Sequence, residues 1–512
     1  MIIIEKYNDK INGTLSTFDR IILKGHIRQF FSPSGKKHFL SQESLLYTDF
    51  GNYALQVTGK IKEHAINMAN ELKRPYIYLN SPKISKEETA LKCLKENPID
   101  EGLICILSTV EFCSTLQVIK NTQTGKLELK NVDRKCIYLY FYYLDSEFGF
   151  MHVKLQTWFP FMIQVYINGR EYLSKQLDKH GIQYNRYDNS FTYISDVEKA
   201  QELADKIESL KFCKRLDAIA AKINPFLSRI YEIFHQGYYW CVDQCEYATD
   251  IMFNSREDLE KIYPALVEHA LISFKCDDIM TFLGRKMHNA FQGEVVSDIK
   301  KRPQGLRIKH RMKSNIIKMY DKYSVLRVET TINDPHEFKI LKRVNSKQGE
   351  VLRWTPMGKS IANLYRYAQV SKASNLRYFD ALAQAVSTGE VIQEVEKLCG
   401  KTTYKNRDYS GFNILSPETC QLFLAVMNGA NNINGFTNFD IRTQIFPDFD
   451  INDKRIRNKT TRILAKLRAH KLICKIPHSF KYKVSKKGLR VMSSILKIKA
   501  KEYPLLANMQ AA

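Results

Sequence analysis

Apolar positions along this chain switch repeatedly between a period near 3.6 and a period of 2, the spacings of a helix face and of a strand face. In the first 150 residues the switches predict a strand at 18–23, a helix over 53–72, a strand at 76–79, a helix opening at Ser85 and an apolar strand at 103–107. Ser85 and Glu88 have capping-box spacing, which fixes that helix start. Beyond 115 the alternation becomes nearly continuous. LQVIKNTQTGKLELK holds two alternating runs about a Gly-containing turn, and CIYLYFYY and FMHVKLQTW follow, so antiparallel strands are expected there.

Between 160 and 400, INGREYLSKQLDKHGI reads as a helix entered after Asn168-Gly169 and left at Gly181, with further amphipathic helices over 197–219 and 255–273. IIKMYDKYSVLRVETTI alternates as two strands, 316–320 and 325–332, about a tight turn at 321–324. Helices resume at 358–368, 374–386 and 391–399, and the polar, aperiodic GKTTYKNRDYSGFN (400–413) marks a boundary. Past it come helices at 416–427, 438–445 and 453–470, two strands in LICKIPHSFKYKVS and a closing helix at 486–499. On the third of these helices Ile456, Thr460, Ile463 and Leu467 form one stripe, and Arg455, Arg457, Lys459, Arg462 and Lys466 lie off it. The expected fold class is α+β, with a mixed α/β region over 1–158, an α+β middle domain over 159–400 and a C-terminal domain over 413–502.

Charge sharpens the picture. Residues 451–502 carry 17 Lys and Arg against Asp453 and Glu502, and residues 299–327 carry 10 against Asp321. The remaining residues balance, so the net charge of +24 sits in two segments. Concentrated positive charge is the footprint expected of a polyphosphate partner, because each neutralised phosphate releases a counterion. With 44% hydrophobic and 12% aromatic residues the 512-residue chain can bury ordinary cores, and its length suits about three domains. No apolar run approaches a membrane span and MIIIEKYNDKING turns polar too soon for a signal peptide, so a cytoplasmic protein without membrane contact is expected. Eleven dispersed cysteines suit reduced, buried thiols.

Three helices followed by a two-stranded hairpin, with this charge, resemble the winged-helix domains of bacterial regulators of the MarR type. That resemblance implies a third helix entering a major groove and a wing on phosphates. Arg455, Arg457, Asn458, Lys459 and Arg462 would read duplex DNA, and Lys475, Lys481 and Lys483 would hold its backbone. The run KKRPQGLRIKHRMKSN adds Arg307, Lys309, Arg311 and Lys313 as a second set of candidate nucleic-acid contacts. KMYDK followed by LRVETT resembles the strand pair of rolling-circle replication initiators, which implies Tyr320 as nucleophile with Asp321 and Glu329 as metal ligands. No H-x-H metal pair accompanies them. A hairpin in which Glu329 pairs with Lys318 or Lys322 is the competing expectation, since a one-residue change of register reverses a side chain's face.

Further candidate metal ligands are Glu294 and Asp298, four residues apart in GEVVSDIKKR, and Asp19 in FDRIILKG, placed on a first strand as in RNase H-like nucleases and transposases. For Asp19, pairing with Arg20 or Lys24 is the alternative. Carboxylates in such sets would hold Mg²⁺ or Mn²⁺. No G-x-x-x-x-G-K-[ST] loop and no nucleophile elbow occur, so neither a nucleotide cofactor nor Ser/His/Asp catalysis is expected. YLYFYY, QTWFPF and YYW could stack bases or build core, core being the expectation. Stretches such as FGFMHVKLQTWFPF, QCEYATD and IKMYDK resemble a group of uncharacterised bacterial proteins, which implies a bacterial or mobile-element setting. The functional expectation is a DNA-binding replication initiator, transposase or nuclease of a mobile element. The alternatives are a non-enzymatic transcription regulator and an RNA-binding ribonucleoprotein subunit.

Overall fold

The computed structural model describes residues 2–272, 274, 276–285, 295–302, 305–346, 349–383, 397–414, 416–429, 431, 435–446 and 453–497. The class is α+β, and the chain forms two compact units built from interleaved segments.

One unit comprises residues 15–248 and 331–371. Its sheet places Ile11–His26 (from residue 15), Ile163–Asn168, Gly149–Gln156, Leu127–Asp145, Gly102–Lys120 and Tyr76–Tyr78 side by side in that order. Neighbours are antiparallel except Tyr76–Tyr78, which runs parallel to Gly102–Lys120. Alternation explains the inner strands: Met151, Val153 and Leu155 are buried on one, Ile163, Val165 and Ile167 on the next. The helix Phe50–Glu71 buries Ala54, Val57, Ile61, Ala65 and Met68, a stripe at steps of three and four. The helix Gly169–Lys179 starts where the Asn168 side chain accepts from the Arg170 and Glu171 amides. Gly169 is required there, because a Cβ would fall 2.3 Å from the Phe18 carbonyl oxygen.

The other unit comprises residues 1–14, 249–330 and 372–512. Val295–Arg302, Gly305–Met312, Asn315–Lys322 and Val325–Ile332 lie adjacent in chain order, the first three in antiparallel register. Ile308, His310, Met312, Ile317 and Met319 are fully buried on one face of these strands. The segment that shows only as charge in the sequence is therefore a pair of alternating strands.

The described residues between 416 and 497 run helix, helix, helix, strand, strand, helix, the order expected of a winged helix. Pro417–Val426 begins with Ser416 as cap and Pro at its first position. Asn438–Ile445 begins with a Thr437/Asp440 capping box, and Lys454–Ala469 with Asp453 as cap. Strands Ile473–Lys475 and Tyr482–Val484 pair antiparallel, and helix Lys486–Lys497 follows. Phe436 forms an isolated antiparallel bridge to Tyr482 just before the second helix. Phe423, Val426, Phe436, Ile441, Leu464, Leu467, Leu472, Val491 and Met492 close one apolar core.

Several expectations change. The helix expected over 197–219 is two, Val197–Asp205 and Phe212–Ile223, separated by a 3₁₀ turn. The helices expected at 358–368 and 374–386 are one, Leu364–Leu382, and most of that expected at 391–399 lies outside the described residues. The aperiodic 400–413 contains a hairpin, Thr402–Tyr404 with Arg407–Tyr409. Its strands are too short to show a period, and its turn residues Lys405 and Asn406 take positive φ without glycine. The strands Tyr239–Phe253 and Lys339–Ser346 with Gly349–Pro356 were not expected.

Candidate nucleic-acid interface

On helix Lys454–Ala469, Thr460, Leu464 and Leu467 turn into the core, which leaves Arg455, Arg457, Asn458, Lys459 and Arg462 exposed. The N-terminal half of this helix thus presents five side chains of the types that read base edges and phosphates. Asn438, at the start of the second helix, donates to the Arg457 carbonyl (3.2 Å) and to Thr461 Oγ1 (3.0 Å). It fixes the angle between the two helices, a role no sequence signal announces. Lys466 behaves differently. It donates to the Gly411 carbonyl at 2.8 Å and lies 4.1 Å over the Phe412 ring, and burial pushes its pKa down, so it joins the domain together.

Lys475, Lys481 and Lys483 are all exposed on the hairpin. At its tip His478 takes φ 54° and Phe480 is 89% exposed. An aromatic ring held in water among lysines costs solvation with no packing in return.

The second basic segment forms a face of a sheet. Register sets Lys300 opposite Arg307 and Arg307 opposite Tyr320, and likewise Asp298, Lys309 and Lys318 in a row. Arg311 continues the line, opposite Ile316. Burial pushes the Lys309 ammonium pKa down, Asp298 opposes this, and Arg307, Lys318 and Arg311 add to it. Lys313 stands apart, exposed in the turn after this strand. Lys300 and Lys318 belong to the face and were not singled out as nucleic-acid contacts, Lys318 being expected only as a partner of Glu329; period-2 spacing over 295–302 would have found the first.

Across the hairpin, Glu329 is buried, and Lys318 Nζ donates to it at 2.6 Å and the Tyr320 hydroxyl at 2.5 Å. Burial works to raise its pKa, yet the Lys318 ammonium and these hydrogen bonds hold the carboxyl well below the usual range. Asp321 is the next residue after Tyr320 and points to the opposite face, so it cannot share an ion with Glu329. Burial raises the Asp321 carboxyl, and it lies beside Tyr263, whose hydroxyl donates to the Leu306 carbonyl. The expected Tyr320, Asp321 and Glu329 constellation is therefore split: tyrosine and glutamate meet, and the aspartate does not.

Of the other candidate ligands, Asp298 sits in register with Lys309 among the cations, and Glu294 lies outside the described residues. Asp19, in the other unit, accepts from Asn189 Nδ2 at 2.6 Å and lies 3.5 Å from Arg170. Its carboxylate comes within 4.8 Å of Glu246, which pairs with Arg20 at 2.6 Å. Asp19 is therefore paired, but with Arg170 rather than with the expected Arg20 or Lys24, which face Glu246 and Asp243.

The aromatic runs are core. Tyr138, Tyr140 and Tyr142 pack with Leu79, Ala90 and Cys93, and Phe159 and Phe161 lie against each other and Phe226. Among the described residues no helix is long and apolar enough to cross a membrane. Comparison with known proteins finds no match to any family model, curated protein or solved structure.

Proposed function

We propose that this protein binds nucleic acid, engaging duplex DNA through the third helix and the wing of its C-terminal domain. One observation carries this: residues 453–497 hold 15 Lys and Arg against Asp453 alone, with Arg455, Arg457, Lys459, Arg462, Lys475, Lys481 and Lys483 all exposed. From outside the segment Glu5 reaches Lys486, but cations kept this close with so few carboxylates repel one another, and a polyphosphate relieves the repulsion. Arginine pairs bidentately with guanine and asparagine with adenine, so Arg455, Arg457 and Asn458 give the surface its sequence preference. The sheet face of Lys300, Arg307, Lys309 and Arg311 supports a second contact with a nucleic-acid strand, as the body of a mobile-element replication or transposition protein would make. This proposal is one of binding. Glu329 is engaged by Lys318 and Tyr320 and Asp321 faces away, so no metal step is assigned to this hairpin.

The test is titration of the full chain with a random-sequence duplex, single-stranded DNA and RNA over a salt series. Duplex affinity should fall steeply with salt, with a log–log slope of about −5 if six phosphates are neutralised. Arg455→Glu with Arg457→Glu should abolish duplex binding and leave the circular dichroism spectrum unchanged. A wild-type chain that ignores duplex DNA at low salt, or a double variant that binds as well as wild type, overturns the proposal. Preference for RNA would favour the ribonucleoprotein alternative.

A further inference from the structure

Strands Gly102–Lys120 and Leu127–Asp145 form a long antiparallel ribbon in which Glu111 is opposite Cys136 and Cys113 opposite Arg134. Cys113 and Cys136 are thus diagonal neighbours, and their sulfurs lie 2.8 Å apart with no bond between them. This is closer than two sulfurs pack without a shared proton. A disulfide needs a further approach of only about 0.8 Å, within rotamer adjustment of two cysteines already facing each other. Each thiol also reaches a backbone carbonyl, Cys113 that of Arg134 at 3.7 Å and Cys136 that of Ile137 at 3.6 Å, and the sulfur–sulfur approach is much the shorter contact.

We infer that Cys113 and Cys136 are a redox-active dithiol, oxidised to a cross-strand disulfide by a small disulfide such as glutathione disulfide. The two sulfurs have different roles. Cys113 is half-exposed and Cys136 buried, so an oxidant in solution meets Cys113 first. The Cys136 hydrogen bond lowers the Cys113 thiol pKa against the effect of burial, with the Lys154 ammonium assisting. The same hydrogen bond and burial raise Cys136. Cys113 is then the nucleophilic thiolate and Cys136 the resolving thiol.

In the first step the Cys113 thiolate attacks one sulfur of glutathione disulfide, breaking that S–S bond and releasing one glutathione thiolate. The Cys136 thiol then loses its proton to solvent, and its sulfur attacks Cys113 Sγ, expelling the second glutathione thiolate. Two protein thiols are oxidised and one glutathione disulfide is reduced to two glutathiones. The product staples the ribbon around the turn at Asn121–Lys126, whose backbone groups already bond each other.

Full-length protein is equilibrated with glutathione disulfide, quenched in acid, alkylated with N-ethylmaleimide and mapped by peptide mass spectrometry. A peptide joining residues 113 and 136, lighter by two hydrogens and split by dithiothreitol, is expected. Cys136→Ser should instead accumulate glutathione on Cys113, because no resolving thiol is left to displace it. Cys113→Ser should leave Cys136 reduced. Full alkylation of both cysteines in wild-type protein under oxidising glutathione overturns the inference. So does a Cys136→Ser protein in which Cys113 carries no glutathione after the same treatment.

Discussion

Replacing Glu329 with Gln separates a structural carboxylate from a catalytic one. The side chain is 3% exposed and its partner Lys318 14% exposed, so the pair sits close to the buried limit. Removing one member of such a pair costs about 3–5 kcal/mol, because the other charge stays desolvated. Gln keeps the shape and can still accept from Tyr320, which returns about 1 kcal/mol. The expected loss is therefore about 2–4 kcal/mol. Tyr320→Phe, which removes one hydrogen bond to a charged acceptor, should cost less, about 1.5 kcal/mol. A readout local to the hairpin is needed. Amide hydrogen exchange of peptides spanning 315–332 gives one, and a loss near 3 kcal/mol should raise local opening about a hundredfold. The sign with pH also follows. A carboxyl held below its usual pKa stabilises the fold above that pKa, and the contribution disappears as pH falls through the usual value toward the depressed one. The gap between wild type and Glu329→Gln should hold steady from neutral pH down to about pH 5 and shrink below. A variant with unchanged or slower exchange at neutral pH would refute the ion-pair account and return Glu329 to the catalytic candidates.

Replacing Arg307, Lys309 and Arg311 together with Ala, in the Arg455→Glu, Arg457→Glu background, should weaken residual single-strand binding and reduce its salt slope by about 2, at roughly 0.7 per phosphate contact on a single strand; an unchanged slope would show that the sheet face takes no part. Leu467→Ala should destabilise the C-terminal domain by about 2–5 kcal/mol, as removal of a fully buried leucine does. Hydrogen exchange of 454–469 checks it, and protection equal to wild type would place Leu467 outside the core.

The C-terminal domain was legible because each local signal agreed with the others. Ser416-Pro417, Thr437 and Asp453 open its helices, and an apolar stripe runs along the third. The Phe436–Tyr482 bridge was not legible, since a single paired residue leaves no pattern. Tyr239–Phe253 was missed for a different reason. It is buried on both faces over most of its length, Glu246 and Asp250 included, so it lacks the polar-out alternation by which strands are recognised. Its acids are paired, Asp250 with Arg327 at 2.7 Å and Glu246 with Arg20, and pairing across sequence distances of 77 and 226 residues is invisible along the chain. The same limit applied to the hairpin of Tyr320 and Glu329. Both register alternatives satisfied the alternation, and only the turn at Tyr323–Ser324 selected the one that sets Lys318 against Glu329.

The two basic surfaces are built differently, and that difference bears on what each can hold. On the helix the cations project into solvent from a narrow convex element that fits the width of a major groove. On the sheet, Arg307, Lys309 and Arg311 recur along one strand every ~6.8 Å, with Lys300 and Lys318 on strands ~4.8 Å to either side. A flat row of this kind offers successive charges to one extended backbone and has nothing to insert in a groove. Glu329 beside it holds Lys318 in place, and Asp298 lies in register with Lys309. On the proposed reading, the helix surface would serve recognition of a duplex, and the sheet face grip on a single strand without regard to its sequence. A protein carrying both can hold a chosen site and a separated strand at once, which a regulator that only reads duplex DNA does not require.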